Sequence, residues 1–343
     1  MADKIMGLDV GGAHTDAALV RLRDEGMVVE DTERIYLPLW KKRNHHRLER
    51  LIRKLARRWR PDAVGLTMSG ELADAFPTRK DGVEFIVKAT RRATRRDVFV
   101  VTSEGELVDP EEAVAEWRKV AGANWRASSE LLASVHGEDE DFVFCDFGST
   151  TLDIIPIMEG EVKAKGRTDY ERLKHGELVY VGFLRTPLSY LLDRVIIDGN
   201  VVEVSYEYFS IVADALTVLG IIGEDEYTVE TPDGRGKSYE ECARRLARVV
   251  CSDPEEIGEE GVIEIAKQAF KELFGRVFKH VQRKVRETGV EHAVTAGSGE
   301  EVLTEVFKRL DVETTGFDDV FGEGAEVAPA VGAAYLTAVN LRG

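Results

Sequence analysis

The feature that most constrains this chain is a stretch that occurs twice. The first copy is Asp9-Val-Gly11-Gly12-Ala-His14-Thr15-Asp16, and the second is Asp146-Phe-Gly148-Ser149-Thr150-Thr151-Leu-Asp153. In each, a glycine follows the first aspartate by two places, and a second aspartate follows it by seven. Apolar runs flank both copies: Ile5 to Val10 and Ala17 to Val20, then Phe142 to Cys145 and Ile154 to Ile157. Strand, glycine-rich turn, strand is the pattern of a β-hairpin. Glycine makes the turn tight and lets backbone N–H groups approach an anion. A carboxylate at a strand end cannot hold a phosphate, but it can hold the Mg²⁺ or water that does. One such turn is ordinary hairpin chemistry. Two at matched spacing describe facing lobes that clamp a polyphosphate.

A third element joins them. Ala293 to Ala296 is an apolar strand that enters the turn Gly297-Ser298-Gly299, followed by a helix from Glu300. Free amides at a helix N-terminus are an anion site. At 343 residues the chain predicts two lobes, divided as 1–140 and 141–325. The alanine-rich segment 326–343 is expected as a helix packing back on the first lobe.

No apolar run reaches membrane-spanning length, and Met1-Ala-Asp-Lys leads straight into a strand, so neither a membrane segment nor a signal peptide is expected. Cys145, Cys242 and Cys251 lack CxxC spacing, which reads as reduced thiols in a cytoplasmic protein. A net charge of −17 argues against nucleic acid as a partner. Homo-oligomerisation stays open.

Along the chain, Lys41 to Arg60 reads as a helix with a buried stripe of Leu48, Leu51, Ile52, Leu55 and Trp59 and a basic solvated face. The strand Ala63 to Met68 delivers Ser69 and Glu71 to a strand end, where α/β sheets place ligands. Ser69 as a helix cap is the competing reading. Lys80 to Val87 reads as a helical turn or loop, 110–120 and 128–135 as helices, and the loop at Asn124 is aimed at the cleft. Between Gly166 and Pro187 polar groups alternate densely with apolar ones. Arg167, Arg172 and Arg185 are candidates there for bidentate binding of phosphate or carboxylate, beside Asp169. Ser205 to Leu219 reads as a helix bringing Asp214 to the same pocket, 261–287 as one long helix or two, and Phe317 to Phe321 as a short strand.

The three turns resemble the two phosphate motifs and the adenosine motif of the actin, sugar-kinase and chaperone ATPase superfamily. That resemblance implies an α/β, two-lobed, ribonuclease H-like fold with a cleft between the lobes. Within the superfamily, Asp9-Val-Gly-Gly-x-x-Thr-Asp16 is most similar to the hydantoinase A/oxoprolinase branch, although Ala13-His14 and Gly148-Ser149 depart from its pattern. Thr67 to Asp74, Asp146 to Pro156, Thr168 to Tyr180 and Arg185-Thr-Pro resemble a narrower family, the tetrahydromethanopterin-linked one-carbon proteins. The resemblance covers nearly the whole chain.

It implies a transferase of methanofuran biosynthesis that condenses an aminomethylfuran-methyl diphosphate with γ-glutamyltyramine, forming an aryl ether and releasing pyrophosphate. Asp9 and Asp146 would then hold Mg²⁺. Gly11, Gly12, Thr15, Gly148, Ser149, Thr150, Gly297, Ser298 and Gly299 would line the phosphate site. Ser69, Glu71, Arg167, Arg172, Arg185 and Asp214 would line the substrate site. A furfuryl-type carbon ionises readily, so the main task is electrostatic stabilisation of the leaving group. The phenol, with a pKa of about 10, needs a base, and Asp153, Asp169 and His14 all qualify. The competing readings are an ATP-dependent kinase or hydantoinase-like enzyme, with adenine at Gly297-Ser298-Gly299, and an actin-like nucleotide-binding scaffold.

Overall fold

Both halves of the chain build the same sheet by the same means. The computed structural model describes residues 4–23, 26–136, 140–322 and 324–342. Met1 to Asp3, the start of the expected leaderless terminus, and Gly343, the end of the expected C-terminal segment, lie outside them. The first sheet comprises β1 (Lys4–Val10), β2 (His14–Arg23), β3 (Gly26–Tyr36), β4 (Ala63–Met68), β5 (Asp97–Val101) and β6 (Leu107–Val108), ordered β3-β2-β1-β4-β5-β6. The second comprises β7 (Phe142–Phe147), β8 (Leu152–Met158), β9 (Glu161–Val162), β10 (Leu178–Val179), β13 (His292–Ala296) and β14 (Glu313–Gly316). Its order is β10-β8-β7-β13-β14, with β9 on β8. In each, an antiparallel hairpin continues into two parallel strands: β2–β1–β4–β5 in one, β8–β7–β13–β14 in the other. The inner strands are buried on both faces, as their unbroken apolar runs require.

Helices cover these sheets. In the first half they are α1 (His45–Trp59), α2 (Arg79–Thr94), α3 (Pro110–Ala115), α4 (Trp117–Val120) and α5 (Asn124–His136). In the second they are α6 (Asp169–His175), α7 (Val212–Val218), α8 (Tyr239–Arg248), α9 (Pro254–Thr288), α10 (Glu300–Lys308), α11 (Phe317–Phe321) and α12 (Ala328–Asn340). Helix α1 buries Leu48, Ile52, Leu55 and Trp59 of the expected stripe, while Leu51, at its edge, is only partly buried. Helix α12 lies against β1 and β4, where Gly7 and Gly65 leave room: a Cβ on either would collide with the carbonyl of Ala330 or Ala333. The alanines of α12 join residues of both sheets, among them Ile5, Phe142, Phe144 and Val294, in one apolar cluster.

Four expectations about elements are corrected. The segment after Thr78 is a full 16-residue helix, α2, because the Thr78 side chain caps it by accepting from the Asp81 amide. The helix expected from Ser205 shrinks to α7, because the backbone before it is spent elsewhere: the Ser205 amide donates to Val249 O at 2.8 Å and Ser210 O accepts from Leu188 at 3.0 Å. Phe317–Phe321 is helical, with Asp319 accepting from the Gly316 amide at 3.0 Å, and the strand is Glu313–Gly316 just before it. A hairpin, β11 (Arg194–Ile197) with β12 (Asn200–Glu203), stands where no element was expected.

Candidate active site

The two repeated hairpins meet across a cleft. In the register of β1 with β2, Asp9 pairs with Asp16, and in that of β7 with β8, Asp146 pairs with Asp153. Residues paired across antiparallel strands share a face of the sheet, so each hairpin offers two carboxylates on one side. The turns close alike: Gly11 N–H donates to His14 O, and Gly148 N–H to Thr151 O, both at 2.9 Å.

Between the turns lies a chamber of about 120 Å³, lined by Asp9, Asp16, Asp146 and Asp153, by the turn residues Gly11, Gly12, His14, Gly148, Ser149 and Thr150, and by Gly297 and Arg34. It shares Gly12, Ser69, Asn124, Thr150 and Asp153 with a larger cavity of about 360 Å³, which adds Trp40, Asp74, Asp169, Arg172, Tyr180 and Arg185. Neighbouring loops are tied to the turns. The Leu39 amide donates to Gly12 O at 2.8 Å, which sets Trp40, and the Arg185 amide donates to Ser149 O at 2.9 Å.

The chamber is under electrostatic stress. Burial holds the Asp9 carboxyl well above the usual carboxylate range, and Asp16 and Asp146 push it further. Burial, then Asp153, pushes Asp146 up to about 7, with Arg34 opposing. Asp16 is likewise raised to about 7 by burial against the pull of Arg34. His14 is held down at about 3 by burial and by Arg34 and Arg185, so its imidazole is neutral at pH 7. Asp9 Oδ1, Asp16 Oδ1, His14 Nε2 and Arg34 Nε are buried with no hydrogen-bond partner. Clustered carboxylates with unspent oxygens fit a divalent cation. Among the described residues no three His, Cys, Asp or Glu side chains converge as a ready metal cage. A cation that takes one or two carboxylates and completes its shell with water and substrate phosphate, as Mg²⁺ does, would fit such a pair.

The structure brings most of the sequence candidates to this cleft and leaves others out. Thr15 is fully buried in β2. Ser298 Oγ accepts from Arg34 Nη1 at 3.4 Å, and the Gly299 amide donates to Phe147 O at 2.9 Å. Gly297 alone of its turn lines the chamber; its φ of +91° and close approach to Asp146 demand glycine. Arg167 is exposed and ion-paired with Glu104, away from both cavities. Asp214 is enclosed in the second half, where Tyr227, Ser210 and Arg245 donate to it, so it is a core ion pair. Glu71 is buried behind the cavity wall, and Arg79 joins it to Asp169 at 2.6 and 3.1 Å. Sequence reasoning missed Arg34, Trp40 and Tyr180. Arg34 had one signal, its pairing with Asp16 in the register of β2 with β3, but register is not readable without the sheet.

Two sheets of one strand order, each presenting an Asp-x-Gly hairpin to a shared cleft, define the two-lobed actin and sugar-kinase class. A nucleotide-free acetone carboxylase covers 97% of this chain and 70% of its own, with a TM-score of 0.60 at 12% identity. A ROK family glucokinase from Streptomyces griseus covers 97% and 98%, with a TM-score of 0.50 at 13% identity. The hydantoinase/oxoprolinase family profile matches residues 62–340, and the chain belongs to that family. A (4-{4-[2-(γ-L-glutamylamino)ethyl]phenoxymethyl}furan-2-yl)methanamine synthase from Methanocaldococcus jannaschii is 35% identical over 318 residues, 92% of this chain and 93% of that protein. A synthase of the same name from Methanococcus vannielii is 38% identical over 172 residues, 50% of this chain and 77% of that protein. Among the described residues no helix is long and apolar enough to cross a membrane.

Proposed function

We propose that the chain is a synthase of methanofuran biosynthesis that joins an aminomethylfuran-methyl diphosphate to γ-glutamyltyramine and releases pyrophosphate. The observation that carries this reading is the continuity of two unlike spaces. The small chamber, with its turn amides, suits a diphosphate, and it opens through Thr150 and Asn124 into a cavity walled by Trp40 and Tyr180 that suits two rings. The product named for the M. jannaschii relative holds a phenoxymethyl-furan ether and a γ-glutamylaminoethyl arm, which are the parts such a condensation would join.

In the reaction, the methylene–oxygen bond to the diphosphate breaks and both electrons leave with pyrophosphate. The phenol oxygen bonds to the carbon, and its proton passes to a base. Mg²⁺ on Asp9 and Asp146 would offset the charge of the leaving group. The turn amides of Gly12 and Ser149 bind its oxygens, and Arg34 faces it as a cation. Of the three candidate bases, Asp153 and His14 line the diphosphate chamber, whereas Asp169 lines only the ring-binding cavity, with Arg79 on one of its oxygens. Asp169 faces the larger cavity with its carboxyl raised by burial, Arg79 and Arg172 opposing. A raised carboxyl is the better proton acceptor, so Asp169 is assigned that role.

Incubation of the protein with the furan diphosphate, γ-glutamyltyramine and Mg²⁺, without nucleotide, is expected to yield ether and pyrophosphate in equal amounts. EDTA should stop it. Ether formed only with ATP, with ADP accumulating in step, would replace this reading with the kinase-like one.

A further inference from the structure

A third cavity of about 380 Å³ continues from the ring-binding space on its second-lobe side, sharing Thr150, Tyr180 and Arg185 with it. Its chemistry is the reverse of the chamber's. Among the described residues no Asp or Glu lines it, whereas two guanidinium groups, Arg185 and Arg276, do. Among the described residues neither arginine has a carboxylate partner. Arg185 lies with its guanidinium 4.6 Å from the Trp40 ring centroid and donates to Thr150 Oγ1 at 3.3 Å. Arg276, on α9, is fixed by one nitrogen, Nη2, which donates to the Tyr190 carbonyl at 2.9 Å. Tyr190 and Tyr208 line the same space while 73% and 55% exposed, which leaves aromatic surface open to a ligand.

In a chain of net charge −17, a cavity with two unpaired cations and no acid calls for an anion from outside. Tyrosine faces beside it suit an ammonium group. We propose that this cavity is the subsite for a zwitterionic α-amino acid terminus, with Arg276 the specificity-determining residue for its carboxylate. Resting on the synthase reading, the occupant is the γ-glutamyl end of the acceptor. The phenol end then crosses Arg185 and Trp40 towards the diphosphate chamber. All residues of the subsite belong to the second half of the chain, so the acceptor's tail is seated by one lobe alone.

The test compares γ-glutamyltyramine with N-acetyltyramine, which keeps the amide and the phenol but lacks both terminal charges. Binding is measured by calorimetry and turnover by ether formation, on the wild type, Arg276→Gln and Arg276→Lys. The wild type should prefer γ-glutamyltyramine. Arg276→Gln should weaken that ligand on the order of tenfold, the loss of one charge-assisted contact, and leave N-acetyltyramine and the KM for the diphosphate unchanged. Arg276→Lys should retain part of the preference. Because the readout is a ratio of two ligands, a general disturbance of the Tyr190 loop cancels. Equal weakening of both ligands, or a wild type without preference, would overturn the subsite. A calorimetric preference lost in Arg276→Gln, with no ether formed by any variant, would uphold the subsite while removing the condensation.

Discussion

Arg172 donates from Nη2 to Asp153 Oδ1 at 2.5 Å, with both groups buried and the guanidinium 4.3 Å from the Trp125 ring centroid. The same nitrogen donates to Glu177 O at 3.1 Å. An arginine expected from its sequence surroundings to be a substrate ligand is thus committed to the last carboxylate of the second hairpin. Its task is to hold Asp153 in place on the chamber wall.

Removing that partner strands a buried carboxylate. Arg172→Ala should lower unfolding free energy by about 3 kcal/mol, read from urea denaturation. A loss below about 1 kcal/mol would mean that Asp153 finds water or neutralises at little cost.

The chamber carboxylates should behave oppositely. Asp9→Asn and Asp146→Asn remove charges that repel one another in the metal-free protein. Activity should fall on the order of a hundredfold or more, as expected when electrostatic stabilisation of developing charge is lost. The metal-free melting temperature should hold or rise. A melting temperature that drops in step with activity would make these groups structural.

The sign of the pH dependence follows. Asp146, ordinarily near 3.8, is raised to about 7 in the folded protein. Between those values the unfolded chain has released its proton and the folded chain has kept it, so this group's contribution to stability declines as pH rises from about 4 to about 7. Asparagine does not titrate. The stability of Asp146→Asn relative to wild type should therefore grow across that window in EDTA, and Mg²⁺ should shrink the difference. A difference flat in pH would contradict the raised carboxyl. His14, lowered to about 3 from 6.5, has the opposite sign: its contribution is lost on acidification from about 6.5 towards 3.

Gly65→Ala tests the docking of α12. A methyl group there meets the Ala333 carbonyl and the Thr337 hydroxyl, and α12 cannot withdraw without opening the cluster shared by both sheets. The expected loss is about 3 kcal/mol in thermal or urea unfolding. A variant as stable as wild type would show that the helix shifts freely.

The two hairpins, their cleft and the alanine-rich helix were legible because each rests on local rules. Apolar runs make buried strands, glycine makes turns, and the repeat of Asp9-x-Gly11 at Asp146-x-Gly148 announces the shared plan. Ser205 to Leu219 misled because its apolar spacing suits a helix, while the neighbouring backbone at Leu188 and Val249 claims the hydrogen bonds of its first half. Asp214 misled for a related reason: an aspartate among small residues looks available until Arg245 closes on it from α8.

What the sequence by itself determined is the set of chemical groups and the turns that carry them, since a glycine-rich hairpin and its carboxylates depend only on residues a few places apart. What only the tertiary structure decided is which charges remain unspent. Arg167, Arg172 and Arg185 look alike in sequence, yet Glu104 takes the first and Asp153 the second, and of the two that line the cavity, Arg172 and Arg185, only Arg185 has no carboxylate partner among the described residues. Those partners lie 63 and 19 residues away along the chain for the first two. Ion pairing is fixed by distance in space, and strand register and helix docking set that distance.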